Sequence, residues 1–293
     1  VFDRYGLGAK IFGTYNAYAR FFFGYQTALG VVANKVFDNP FTSFNSESIF
    51  NCSPMIVGYY ALGLSMFTMT KWMVEDLSKD KIDSIVFLAR DGYMPEQIFK
   101  NFARKIGLKV NVSYLPTSRK AILPLTASNK GELRDTLESF GAHQPHISAS
   151  IVKAFECVEN KSTGDKMLRD WSRAKGFRGV DSEVATQIIS TNMDYSAVQD
   201  LRRAFANTYK DMFVGRTAVF DIGYSGKPEQ VFSDIFKKDL DTYFMYINQD
   251  EPIWRLGDRL HYFSRFSKIG IRELIVSAQA ASCTGYEIID DKV

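Results

Sequence analysis

The sequence predicts an α/β protein built on a parallel sheet with a large helical insertion, and three observations carry that prediction. Two short runs dominated by apolar residues, Ile85–Leu88 and Thr217–Phe220, have the length and composition of buried parallel strands. Each run empties into a polar corner containing glycine and is followed by a helical pattern. The first run, its corner, the helical stretch Pro95–Ile106 and a second strand at Val110–Leu115 follow in the order strand, helix, strand that defines a βαβ unit.

Along the chain, residues 1–52 alternate short helical patterns with turns such as Asp38-Asn39-Pro40, which predicts an N-terminal appendage or linker ahead of a main domain at 53–293. From Ile56 to Leu77 the pattern is helical, with Tyr59, Leu62, Met66, Met69 and Met73 at three- and four-residue spacing. Gly58 and Gly63 weaken that helix intrinsically, so close packing must justify them, and the methionines suit a core. Residues 124–210 lack strand periodicity and predict helices at Lys130–Phe140, Ile147–Cys157, Gly164–Ala174, Ser182–Ser190 and Ala197–Phe213. Their polar character suggests an inserted helical subdomain that covers or closes a site. The sheet resumes at Thr217–Phe220, passes through a helix at Lys227–Phe236 with Pro228 in its first turn, and continues at Thr242–Ile247.

With 293 residues the chain can bury a large core. Thirty-six Lys and Arg against 33 Asp and Glu leave a formal charge of +3, too even to argue for nucleic acid. Three cysteines, Cys52, Cys157 and Cys283, are widely spaced, which gives no disulfide framework and fits a reducing compartment. His143-Gln-Pro-His146 has ligand-type side chains, but a polar loop has the same composition. No apolar run reaches the ~18 residues of a membrane span. A basic-then-apolar leader is not seen either, and the expectation is a piece cut from a longer polypeptide.

The chemistry concentrates at three strand ends. Ala218-Val219-Phe220-Asp221-Ile222-Gly223-Tyr224-Ser225-Gly226 closes an apolar run on one carboxylate and then turns. Gly223 and Gly226 permit a tight turn and close backbone approach, Ser225 adds a hydroxyl, and N–H groups at the start of the next helix, with Lys227, suit a phosphate. An ordinary turn with a satisfied Asp cap would look the same. Phe87-Leu88-Ala89-Arg90-Asp91-Gly92-Tyr93 repeats the design: Arg90 offers a planar fork for phosphate oxygens, and Gly92 lets the backbone come close. Asp91 calls for a divalent metal or a sugar hydroxyl, although an Arg-Asp pair is also an ordinary salt bridge. Tyr114-Leu-Pro-Thr-Ser-Arg-Lys120 places Arg119 and Lys120 after the next strand. Parallel strands bring these ends to one edge, where a ligand with phosphate at both ends and hydroxyls between them would fit. In the tail, Arg272-Glu273 and Gly285-Tyr286 add an acid and an aromatic ring as further substrate contacts, structural roles being equally open.

On these motifs the sequence resembles a bacterial group of polysaccharide-biosynthesis proteins. Its members carry a Phe-Leu-Ala-Arg-Asp-Gly-Tyr corner, a Ser-Arg pair, an Asp-Ile-Gly-Tyr/Trp-Ser-Gly corner and a Glu-Leu…Ser-Ala…Gly-Tyr tail, found here at Phe87–Tyr93, Ser118-Arg119, Asp221–Gly226 and Glu273 through Tyr286. The group is similar to type I phosphoribosyltransferases and to ribofuranose-installing glycosyltransferases that use phosphoribosyl pyrophosphate. Asp221 matches the second acidic position of the family's donor strand, and Phe220 stands in place of the first. Ser225-Gly226 match part of its phosphate loop, Lys227-Pro228 stand where it has Thr, and Ala89–Gly92 resembles its pyrophosphate loop with Asp91 as an added charge.

The resemblance implies a phosphoribosyltransferase-like (Rossmann-like) fold and transfer of a 5-phosphoribosyl group to a glycan, free or lipid-linked, in capsule or O-antigen synthesis. It implies Arg90, Asp91 and Asp221 as catalytic residues. Substrate contacts would come from Gly92, Arg119, Lys120, Gly223, Tyr224, Ser225, Gly226, Lys227, Glu273 and Tyr286. Mg²⁺ would be held by Asp221 and Asp91. A phosphatase domain of the haloacid dehalogenase type is the implied partner, and the implied location is the cytoplasm, at the inner face of the membrane. A non-catalytic glycan- or phosphate-binding module serving that phosphatase, and a phosphate-ester hydrolase, are the alternatives.

Overall fold

The computed structural model describes residues 27, 30–31, 54–56, 58, 63–141, 146–162, 166–175, 179–223, 226–247, 259–265 and 276–293. The appendage expected over 1–52 therefore lies almost entirely outside the described residues. The chain divides into two compact units, Val1–Asp76 and Leu77–Val293, so the boundary falls within helix α1 (Leu64–Asp80). In the first unit α1 buries Met66, Met69 and Met73 at the spacing the sequence shows.

The second unit is built on five strands, all parallel: β1 (Ser84–Leu88), β2 (Asn111–Leu115), β3 (Thr217–Asp221), β4 (Asp241–Ile247) and β5 (Leu260–Arg265). Their order is β2-β1-β3-β4-β5. This is a Rossmann-like, doubly wound arrangement: β1 pairs with β2 on one side and β3 on the other, and the strand order reverses there. β1 and β4 are buried at every position, as expected of strands covered on both faces. β5 carries His261, Ser264 and Arg265 and forms the outermost described strand beside β4, and it lacks the continuous apolar run by which β1, β3 and β4 are recognised.

Helix α2 (Tyr93–Ile106) covers one face, with the Phe87 ring 5.6 Å from Phe99 and 5.1 Å from Phe220. The other face, presenting Val86, Leu88 and Val219, opens into the helical region. After a short helix α3 (Arg119–Ile122) come α4 (Lys130–Gly141), α5 (Ala149–Ala154), α6 (Lys166–Ala174), α7 (Ser182–Asn192) and α8 (Tyr195–Tyr209). The Asp181 and Asp194 side chains accept hydrogen bonds from Val184 N (2.8 Å) and Ser196 N (2.9 Å) and so start α7 and α8. These helices differ from a polar cover. Leu133, Leu137, Val152, Phe155, Met167, Trp171, Ile189, Val198, Leu201 and Phe205 form one buried core with the sheet. Helix α8 packs on α9 (Lys227–Phe236) through stacked Phe205 and Phe232 rings 5.5 Å apart. The region thus supplies the packing for one face of the sheet as well as the connection from β2 to β3. Among the described residues, no helix is long and apolar enough to cross a membrane.

Candidate functional site

Parallel pairing sends the carboxyl ends of β1, β2 and β3 to one edge. Phe87 stands opposite Phe220 and Leu88 opposite Leu115, so Asp221, one residue beyond Phe220, comes level with the end of β1. The edge therefore collects Arg90 and Asp91 after β1, Arg119 and Lys120 after β2, and Asp221 at the end of β3, around the reversal point where doubly wound sheets bind ligands.

The first corner is fixed by its backbone. Ala89 N donates to Leu115 O at 3.0 Å, and Gly92 N turns back to Leu88 O at 2.8 Å. A Cβ at Gly92 would lie 2.5 Å from Leu88 O, so only glycine fits the turn without displacing the strand end. Residues 277–286 then cross the ends of β1 and β2. Ala278 N donates to Arg90 O (3.0 Å), Arg90 Nη1 donates to Ala280 O (3.3 Å), and the Ser277 hydroxyl donates to Asp91 Oδ1. Further along, Ser118 Oγ donates to Cys283 O (2.6 Å) and the Tyr286 hydroxyl to Pro116 O (3.0 Å).

After β2, Ser118 caps α3 by accepting from Ala121 N at 3.0 Å, which sets Arg119 and Lys120 in the first turn. Arg119 is exposed and Lys120 half-buried. At the third corner Gly226, with φ 69°, takes the left-handed conformation before α9, and Pro228 occupies the first turn as the sequence predicts. Gly223 is buried and Lys227 half-buried. Tyr224, Ser225 and Glu273 lie outside the described residues, as does His143.

The electrostatics of this edge are unusual. Asp221 is half-buried; burial first and the Asp91 charge second push its carboxyl up to about 7, against the pull of Arg119 and the N–H groups of Ile222 and Gly223. Burial and then Asp91 also raise the Tyr114 phenol, whose ring meets Tyr93 edge-on with centroids 5.9 Å apart. Glu229, in the first turn of α9, is 1 % exposed, and neither carboxyl oxygen has a hydrogen-bond partner. Burial raises its pKa well above the usual carboxylate range; Asp221 adds to the rise, and its own backbone N–H and then Arg119 oppose it.

Asp91 and Arg119 thus both act on the Asp221 carboxyl, in opposite directions. Of the substrate-contact and structural roles open to Tyr286, its surroundings fit the structural one. Its ring is buried, packed edge-on against Phe205 at 5.2 Å, with the hydroxyl spent on Pro116. It anchors the tail. Two contributors were not foreseen. Ser277 stood in the tail motif with no sign that it meets Asp91. Glu229 gave no signal in the sequence, because an acid near a helix N-terminus is a common and favourable placement.

The hard oxygen donors of Asp91 and Asp221 suit Mg²⁺, which takes one or two carboxylates and completes its shell with water or phosphate. Asp91, Asp221 and Glu229 do not converge into a ready three-carboxylate cage. Comparison with known proteins gave no family model that matches the chain and no curated protein that matches it.

Proposed function

We propose that the chain transfers a 5-phosphoribosyl group from phosphoribosyl pyrophosphate to a glycan acceptor in capsule or O-antigen synthesis, on a phosphoribosyltransferase-like version of the doubly wound sheet. The observation that supports this reading is that parallel pairing gathers the Arg90/Asp91, Arg119/Lys120 and Asp221 corners at one carboxyl edge, where Asp91 and Arg119 act in opposite directions on the Asp221 carboxyl, on the motifs that resemble that family. The acceptor oxygen forms a bond to the anomeric carbon, the bond from that carbon to the pyrophosphate oxygen breaks, and pyrophosphate leaves. Arg90 and Arg119 neutralise the leaving group as charge develops. Asp221 orients the ribose hydroxyls, and Asp91, held by the Ser277 hydroxyl, takes the acceptor proton. N–H groups at the start of α9 and Lys227 hold the 5-phosphate, with Gly92, Gly223 and Gly226 allowing the backbone close approach and Lys120 adding positive charge. Asp221 and Asp91 would hold a magnesium ion, which would supply charge neutralisation at the pyrophosphate. A haloacid-dehalogenase-type phosphatase then removes the 5-phosphate from the product, at the inner face of the membrane.

The test incubates the protein with phosphoribosyl pyrophosphate, Mg²⁺ and a lipid-linked or synthetic glycan, and follows pyrophosphate release and acceptor mass. Acceptor-dependent release with a gain of one phosphoribosyl group is expected. Turnover with a sugar nucleotide but none with phosphoribosyl pyrophosphate overturns the donor. Phosphate release without acceptor indicates the hydrolase instead.

A further inference from the structure

Tyr286 is buried, so the tail offers this edge no open ring at that position. The first corner does offer one. Among the described residues of the second unit only Tyr93 and Tyr262 are exposed aromatics, and Tyr93, at 46 %, is the more open. It follows Gly92 and begins α2. Its N–H donates to Arg90 O at 3.2 Å, which closes the turn carrying Arg90 and Asp91. Its ring meets that of Tyr114 at an interplanar angle of 76°, with centroids 5.9 Å apart. Tyr114 stands in β2 opposite Phe87 and is half-buried. An exposed ring alone is ordinary. This one is propped edge-on by a strand residue and lies two residues from Asp91.

We propose that Tyr93, backed by Tyr114, is an acceptor subsite: its ring stacks on the face of a neutral sugar residue of the glycan and brings a hydroxyl of that residue to Asp91. This deepens the proposed function and rests on it for the role of Asp91. C–H groups on one face of a pyranose are electropositive and the face of an aromatic ring is electronegative, so the two stack while the sugar hydroxyls stay at the rim. The charges around the pair suit an uncharged partner. After burial, Asp91 and Glu96 raise the Tyr114 phenol and Arg90 opposes them, so the pair lies in a field of mixed sign. Glu96, buried in the first turn of α2, is itself held by Lys100 and accepts from Gln97. The donor's phosphates belong with Arg90, Arg119 and Lys120, and the ring pair takes the neutral substrate.

The test needs neither donor nor turnover, so a failed transferase assay leaves it decidable. Methyl β-glucopyranoside, methyl β-galactopyranoside and methyl α-mannopyranoside are each offered to the full chain, and saturation-transfer NMR reads which sugar protons approach the protein. Transfer to the ring C–H protons of at least one of them, strongest on one face, is expected. Tyr93→Leu keeps the bulk but removes the π face and should lower the transfer at least about fivefold, the scale of one lost ring contact. Tyr93→Trp should retain it. Tyr262→Leu, at the other exposed ring in β5 across the sheet, should leave it unchanged. Circular dichroism verifies each fold; should Tyr93→Leu not fold, Tyr114→Leu, which removes the prop, must lower the transfer instead. In the transferase assay Tyr93→Leu should raise acceptor KM and leave donor KM unchanged; turnover with acceptor KM unmoved refutes the subsite while the transfer reading stands. No transfer to any of these sugars in the wild type, undiminished transfer in the folded variant, an equal loss in Tyr262→Leu, or transfer to adenosine in preference to every sugar overturns the proposal.

Discussion

The two edges of the sheet treat buried acid in opposite ways. At the amino edge Asp241, 1 % exposed at the start of β4, receives both arms of Arg216: Nε to Oδ2 at 2.9 Å and Nη2 to Oδ1 at 2.8 Å. Arg216 Nη1 goes on to Asp80 O (2.7 Å), its backbone N–H donates to Asp83 Oδ2 (2.8 Å), and His261 Nε2 stands 3.8 Å from Asp241. Burial pushes the Asp241 carboxyl up, but the nearby His261 imidazole and the two Arg216 hydrogen bonds outweigh it and hold the group below the usual range. At the carboxyl edge the same burial meets a second acid instead of a full set of donors, so Asp221 and Glu229 rise. A carboxylate kept for structure is given its partners, and the edge where acids crowd is where a ligand has something to complete.

Breaking the amino edge should have the largest effect. Arg216→Ala leaves Asp241 buried without its fork and should cost about 3–5 kcal/mol in denaturant unfolding. Arg216→Lys keeps the charge, loses the bidentate geometry and should cost less. Neither variant should impair donor binding by the folded fraction.

At the opposite edge Asp221→Asn should reverse the sign. Transfer should fall at least about 100-fold, while stability at pH 8 rises by about 1–2 kcal/mol, because a half-buried charge beside another acid is removed. The pH dependence follows. Asp221 ionises near 7 when folded and near 4 when unfolded, so the folded state holds more protons between those values and stability falls as pH rises through that window. Asn at 221 should flatten this slope. Asp241 works the other way: its contribution is present above its unfolded pKa and is lost as pH falls through its lowered folded value. Unfolding midpoints measured from pH 3 to 9 in both variants check the two signs together.

Smaller effects sharpen the comparison. Gly92→Ala, with its Cβ 2.5 Å from Leu88 O, should cost about 1–3 kcal/mol and weaken donor binding by moving Arg90. Tyr286→Phe should cost only about 1 kcal/mol, for the lost bond to Pro116, and leave acceptor KM unchanged.

Much of this was legible in the sequence. The helix Lys227–Phe236 matches its predicted bounds because Gly226 and Pro228 mark its start unambiguously. Asp221, Asp91 and Arg119 gather because parallel pairing is encoded in short apolar runs separated by helices. Other features depend on what surrounds a residue. β5 mixes polar with apolar residues, and none of Leu260–Phe263 is fully buried, so its pattern falls below the signal of a buried strand. The helical region looked polar because each short helix spends only two to four residues on the core it shares with the sheet. Glu229 lies against its type, buried at 1 % exposure, and Tyr286 takes the structural role that the sequence left open beside substrate contact.

The central claim, that ligand binds where the acids crowd, is tested most directly by calorimetric titration of Mg²⁺-phosphoribosyl pyrophosphate into matched variants of the two edges. The account predicts binding by the wild type and by Arg216→Lys with similar affinity, and at least tenfold weaker binding by Asp221→Asn and by Arg119→Ala. Equal affinity in all four proteins, or a loss confined to Arg216→Lys, would contradict it.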